Sequence, residues 1–505
     1  MRAPLFYADV MEQEDFDMNS IIKDLRASLA RENDIETDLP DGSSLTVPEV
    51  DTPDEAVEEV FNVDEDILAL ENDIDIDEKV LEALITNGEI LSDIDIALEC
   101  FKYSGLGMDD LTYTALQRTY NRVAGNLRLP SIENMLSDLD GDRTLLRLAT
   151  EAAVSERVGD ILKKIIEKVM ALFHKIKDWY IRIFDQASVE KRRALKIVKV
   201  SGSITGAPTD VSVTMGSVGT LGIGNKSLQP SIFLNHLNEI DRITEVVTTK
   251  ISKEWNQLLA ELTTLTKAQI SQIMEANKKR NDETLSTSRN DVSEVPKIFV
   301  QNDDKMMLKF IADFRRMMES VDLKKVPESD DPRFSAPNTV YHLSEMLPGN
   351  KQMSTAYPDK KEETVHDLGK IKNSFGYGVV EIKDGAKQKG KSETAFETLS
   401  IVDVKRMAEG CVSLCDAIIN YKLQYVERER RIDRFLKETQ SASKTADEID
   451  ATTRQALTSI VTGATTINKN MMNGEGRWIR YVMDIVVSTL DWCTTSLAQY
   501  DHGKM

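Results

Sequence analysis

The chain has 505 residues, a formal net charge of −22 and 41% hydrophobic residues, ordinary for a folded protein and long enough for more than one core. That charge argues against the chain as a whole binding nucleic acid through its net field. Four cysteines are too few for a disulfide framework, and no run approaches the roughly 18 apolar residues of a membrane-spanning helix.

The charge is unevenly placed. Residues 1–151 carry 37 acidic and 11 basic side chains, a net of −26, whereas residues 152–505 carry 48 and 52, a net of +4. The sequence therefore predicts an acidic leader ahead of a helical body. Residues 1–78 read as largely disordered, because Asp and Glu dominate and Pro40, Pro48 and Pro53 punctuate a stretch with little apolar surface to bury. The first residues turn acidic at once and lack the apolar core of a signal peptide. Residues 79–151 read as a small helical unit and a linker, with helix stops at Asn87-Gly88 and Ser104-Gly105 and with Pro130 opening the linker.

Residues 152–200 read as one basic amphipathic helix. Val158, Ile161, Ile165, Val169, Phe173, Ile176, Tyr180 and Ile183 step by three or four, and Lys163, Lys164, Lys168, Lys175 and Lys177 fall mainly on the other side. Lys191, Arg192 and Arg193 continue the basic run, so that residues 157–199 hold 12 basic and 5 acidic side chains. This face admits three readings: the solvated side of a bundle helix, a surface that neutralises DNA phosphates without regard to sequence, or an interfacial helix that meets a membrane with Trp179, Tyr180 and Phe184 near its end.

Residues 201–324 read as a Gly-rich loop followed by long helices. Val211, Val213 and Met215 alternate with polar residues, as in a hairpin or loop. Ile240, Ile243, Val247, Ile251, Trp255, Leu258, Leu262 and Leu265 make a continuous helical stripe, and a shorter helix carries Met307, Phe310, Phe314, Met317 and Val321. Residues 325–396 are irregular, a lid-like insertion or a small β element, with one strand candidate at 377–382. Residues 397–505 hold three stripes: Met407 to Tyr425, Leu457 with Ile460, and Ile479 to Leu497. Asn473-Gly474 reads as the stop between the last two. The predicted fold is mainly α: a partly disordered acidic leader, then long amphipathic helices packed as a bundle, antiparallel in the C-terminal part, with a small β or irregular insertion.

Motifs of catalysis are missing. Gly219 to Gly224 lacks the Lys of a phosphate loop, and the five histidines have no partner at metal spacing. Asp138, Asp140 and Asp142 imitate a calcium loop but continue with Arg143 where Gly is required, and Asp73, Asp75 and Asp77 fail likewise. Cys411 and Cys415 are four apart on an apolar face, as two small core residues would be. No enzymatic activity, metal or cofactor is expected.

An order of features does carry a resemblance. The acidic leader is followed by Leu129-Pro-Ser-Ile-Glu133, then Arg147-Leu-Ala-Thr-Glu151, then Ile161 to Val169, the Trp179 to Phe184 segment and Lys191-Arg-Arg193. In this it resembles the internal head proteins of large contractile-tailed bacteriophages. The resemblance implies a structural protein packaged in the capsid with the genome, present in host cytoplasm during assembly, and in contact with capsid or core proteins. It also implies a leader removed by a prohead protease after a small residue, any residue and glutamate. Ala149-Thr150-Glu151 fits that pattern at the charge switch, and Ser131-Ile132-Glu133 fits as well. Ala56 to Glu58, Ala97 to Glu99, Ser188 to Glu190, Ser252 to Glu254 and Ala395 to Glu397 also match. Such a cut would act as an electrostatic switch, leaving Lys163, Lys164, Lys168, Lys175, Lys177, Trp179, Lys191, Arg192 and Arg193 as contacts for packaged DNA or, in an ejected protein, for a host membrane. A scaffold or core protein not retained in the virion is the other alternative.

Overall fold

The computed structural model describes residues 53–104, 110–127, 143–215, 218–224, 226–286, 304–326, 334, 338–359, 372–381, 394–443, 449 and 451–500. The fold is mainly α. In chain order the helices are α1 (Pro53–Ser104), α2 (Asp110–Asn126), α3 (Arg143–Ser201), the single turn α4 (Val218–Leu221), α5 (Pro230–Glu245), α6 (Ser252–Ser286), α7 (Asp304–Glu319), α8 (Ile401–Ser443) and α9 (Ala451–Leu497).

The stripes read from the sequence become buried core. The stripe residues named above on α3, α5, α6, α7 and α8 are buried, as are Leu457, Ile460 and the Ile479 to Leu497 stripe of α9. A buried side chain of this size contributes about 1.5–3 kcal/mol through the water it no longer orders. Ion pairs across the seams give the directions. Lys177–Glu429 (2.6 Å) and Lys191–Asp416 (2.6 Å) set α8 antiparallel to α3, whereas Trp179 against Gly476 and Arg193–Asp491 (2.6 Å) set α9 parallel to α3.

α5 and α6 form one rod joined by a π turn at Val246–Ile251. Threonines explain the irregularity: the Thr244 hydroxyl donates to Ile240 O (2.7 Å) and Thr248 to Thr244 O (2.8 Å), competing with backbone donors for the same carbonyls.

The irregular insertion is a small antiparallel sheet in the order β2 (Lys324–Lys325), β3 (Thr339–Leu343), β4 (Lys351–Pro358), β5 (Gly376–Glu381). The strand candidate at 377–382 is thus β5. Val213 and Met215 lie on β1 (Ser212–Met215), whose partner is distant: β6 (Thr394–Glu397), with Val213 opposite Phe396. A hairpin is therefore not what the alternation encodes.

Several expected breaks are absent. α1 runs through the anticipated boundary at 78–79, so residues 53–78 are helical, and α3 begins ahead of residue 152. Neither Asn-Gly pair stops a helix. Asn87 Nδ2 donates to Ala83 O (2.7 Å) inside α1, and a Cβ on Gly88 would lie 3.0 Å from Ile161 Cγ2. In α9 a Cβ on Gly474 would run into the Tyr377 carbonyl. Both glycines serve close packing between elements instead of ending one.

Candidate functional site

The charge-bearing feature of the structure is the stretch 66–99 of α1, which lies along α3 and α9. Its sequence explains the docking. Ile67, Ile74, Leu81 and Gly88 recur every seven residues, as do Leu84, Leu91 and Leu98, which is a seam of coiled-coil period. Ile67, Leu81, Ile85, Leu91, Ile94 and Leu98 are buried in the common core. Carboxylates flank this seam on both sides.

Those carboxylates meet cations from three parts of the body. On α3, Lys168 pairs with Asp77 (3.3 Å), Lys175 with Asp77 (2.8 Å) and Asp73 (3.6 Å), and Arg182 with Asp66 (3.6 Å). On α9, Arg480 pairs with Glu71 (3.4 Å), Lys469 with Glu82 (3.0 Å), and Arg454 with Asp95. Ahead of β5, Lys372 pairs with Glu89 (2.6 Å). Neutral donors add to the seam: Trp179 Nε1 donates to Glu71 Oε1 (3.1 Å), Asn473 Nδ2 to Glu78, and Gln455 Nε2 to Asp93 (2.7 Å). The Ala451 N–H, at the start of α9, donates to Glu99 Oε2 (2.9 Å), so α1 caps the first turn of α9.

Burial sorts these contacts by strength. The Arg182–Asp66 pair is about half exposed and so contributes at most about 1 kcal/mol. Arg454 and Asp95 are 4% and 2% exposed, and Arg454 Nη2 also donates to Ile449 O (2.6 Å). Burial alone would raise the Asp77 carboxyl, but hydrogen bonds and charges from Lys175 and Lys168 outweigh it and hold Asp77 below its usual 3.8. Its stabilisation is therefore complete above pH 3.8 and is lost as pH falls through the lower folded value. Glu78 moves the other way, raised chiefly by burial.

The residues expected to face DNA or a membrane separate into groups. Lys168 and Lys175 pair with α1 carboxylates and stay partly exposed. Lys177 is buried and pairs with Glu429 on α8, and Trp179 is buried, so neither presents an outward contact. Tyr180 and Phe184 are also buried, the Tyr180 ring 4.3 Å from that of Tyr425, and this removes the aromatic end an interfacial helix would need. Lys163 is half-buried. Lys191 pairs with Asp416 and Arg193 with Asp491 and Glu190. Lys164 and Arg192 are exposed. No described helix is long and apolar enough to cross a membrane.

Of the candidate cleavage positions, Ala149, Thr150 and Glu151 fall in the first turns of α3, where a cut has to open the helix. Ser131, Ile132 and Glu133 lie outside the described residues. The matches within the body are locked in structure: Glu190 is fully buried in α3, Glu254 lies in α6, and Ala395 to Glu397 form β6 with Phe396 buried.

A second set of charges was not legible in the sequence. Arg428 on α8 and Glu475 on α9 form an ion pair at the centre of the bundle, both about 1% exposed. Arg428 Nη1 also donates to Tyr421 OH (2.9 Å), Nε to Asn256 Oδ1 (3.2 Å) and Nη2 to Ser252 Oγ (2.8 Å), beside the π turn. In the sheet, Tyr357 OH donates to Glu319 Oε1 (3.0 Å) and meets His342 Nε2 (3.2 Å), tying β4 to the end of α7. Among the described residues no three His, Cys, Asp or Glu side chains could together hold a metal ion.

Cys411, Cys415 and Cys493 are buried free thiols; burial raises Cys411 and pushes Cys415 and Cys493 up to about 12. Because the thiolate is the nucleophile, iodoacetamide at neutral pH should label none of the three in native protein and all three after unfolding. Peptide mapping reads the result, and rapid native labelling of Cys411 would contradict this burial.

A family model described as phiKZ-like phage internal head proteins matches residues 55–494. No curated protein and no solved structure gives a significant match.

Proposed function

The chain belongs to the phiKZ-like phage internal head proteins, and from that premise we propose that it is a structural protein packaged with the genome, made with an acidic leader that a prohead protease severs from the body. The observation that carries this reading is the match between leader and body. Seven carboxylates along α1 face seven cations drawn from α3, α9 and the segment ahead of β5. An acidic helix placed over a basic band keeps the new chain from binding nucleic acid indiscriminately before assembly. The leader holds a net of −26 when counted to Glu151.

After severance the body of net +4 would meet packaged DNA through backbone charge alone, with no base readout. Lys164, Arg192, Lys196 and Lys199 are exposed on α3 and suit such contacts. Capsid or core proteins are the expected partners during assembly. Mass spectrometry of terminal peptides, in immature and mature particles, tests the reading. Mature heads should hold a body chain starting at Asn134 or Ala152. A chain running uncut from residue 1 in mature heads would overturn it.

A further inference from the structure

The structure carries the fate of the leader one step beyond the cut. Resting on the reading that a cut occurs, we infer that α1 stays docked on the body as a separate chain, so that severance alone does not uncover the basic band.

Three observations support this. First, α1 is held by apolar burial as well as charge: Leu81, Leu91, Ile94 and Leu98 are each at most 6% exposed. A polyanion such as DNA can replace carboxylates at Lys168 or Lys175, but it offers nothing to an apolar seam. Second, α1 completes polar and apolar contacts of the body. Its departure would leave the Ala451 N–H of α9 without Glu99 and the guanidinium of Arg454 without Asp95. It would also bare apolar side chains such as Ile161 and Ile165, which folded proteins rarely leave open in one patch. Third, both candidate cuts fall after Ser104, the last residue of α1, so the cut breaks the tether and none of these contacts. The docked helix would also shield its own protease match at Ala97 to Glu99, since Leu98 is buried and a protease needs the segment unwound.

The test uses the full chain with a site-specific protease sequence inserted between Glu133 and Asn134. After cutting, size-exclusion chromatography is run at about 0.1 M and about 1 M NaCl, conditions that screen exposed pairs weakly and strongly. Leader and body should co-elute at both. Separation at low salt overturns the inference. Separation only at high salt also overturns it, because ion pairs alone would then hold the helix. In a second chain carrying Leu91→Asp and Leu98→Asp, the cut leader should elute apart from a body whose circular dichroism remains helical. Co-elution there would overturn the role given to the apolar seam.

Particles provide an independent readout. Mature heads should yield peptides from residues 66–99 in proportion to body peptides. Their absence beside a body starting at Asn134 or Ala152 would overturn retention and leave the cleavage reading intact. An uncut chain would overturn the cleavage reading, and the chromatography would still decide retention.

Discussion

Arg428→Ala is expected to lower the stability of the helical body by about 3–5 kcal/mol, the cost of leaving one member of a buried ion pair alone. The Glu475 carboxyl would be left at about 1% exposure without its cation, with the Tyr180 hydroxyl at 3.4 Å as a donor from α3. Ser252 and Asn256 would lose their shared partner beside the π turn at the same time. Replacing both charges, as Arg428→Met with Glu475→Leu, should recover most of that loss, because removing the whole pair also removes two desolvation costs. Urea unfolding followed by circular dichroism measures both. A double variant no more stable than the single one would mean that the network, and not the stranded carboxylate, sets the cost.

Gly474→Ala is expected to be nearly as damaging, at about 3 kcal/mol, the upper end of overpacking costs. Strand β5 crosses α9 backbone to backbone here: a Cβ on Gly378 would lie 3.3 Å from the Gly474 Cα, and one on Gly474 would strike the Tyr377 carbonyl. Main chain cannot step aside as a side-chain tip can, so the sheet has to lift from the helix. Gly125→Ala is the contrasting change. Gly125 is exposed in α2, and an added Cβ there would meet nothing within 4 Å, so Ala should stabilise by about 0.5–1 kcal/mol through lost backbone freedom in the unfolded chain. Thermal unfolding of the two variants should shift in opposite directions. A neutral Gly474→Ala would show that β5 does not bear on α9.

Helix faces were open to reading because periodicity is local. Each turn of α3, α6 and α8 states its own buried side, and the stripes from Val158, Ile240 and Met407 all proved to be core. The Asn-Gly pairs misled for a related reason. Gly88 and Gly474 signal a stop when only neighbours in sequence are considered, yet Ile161 and the Tyr377 carbonyl, each far along the chain, are what require a missing Cβ. β1 misled in the same way, since its partner β6 stands some 180 residues on.

The acidic stretch shows the division most clearly. A run such as Asp73-Ile-Asp-Ile-Asp77 has too little apolar surface to fold on its own, and by itself it reads as disordered. A seven-residue spacing of Leu84, Leu91 and Leu98 was the available sign of a partnered helix, and it becomes decisive only once α3 and α9 supply the other half of the seam. The sequence by itself determined a mainly helical body and the acidic-to-basic division near residue 151, because composition and helical period are properties of short segments. Only the tertiary structure decided that the acid lies on the base, and which cations it leaves exposed. Pairing between helices depends on residues some ninety to four hundred positions apart, and a carboxylate whose partner is that distant looks, in one dimension, like one facing water.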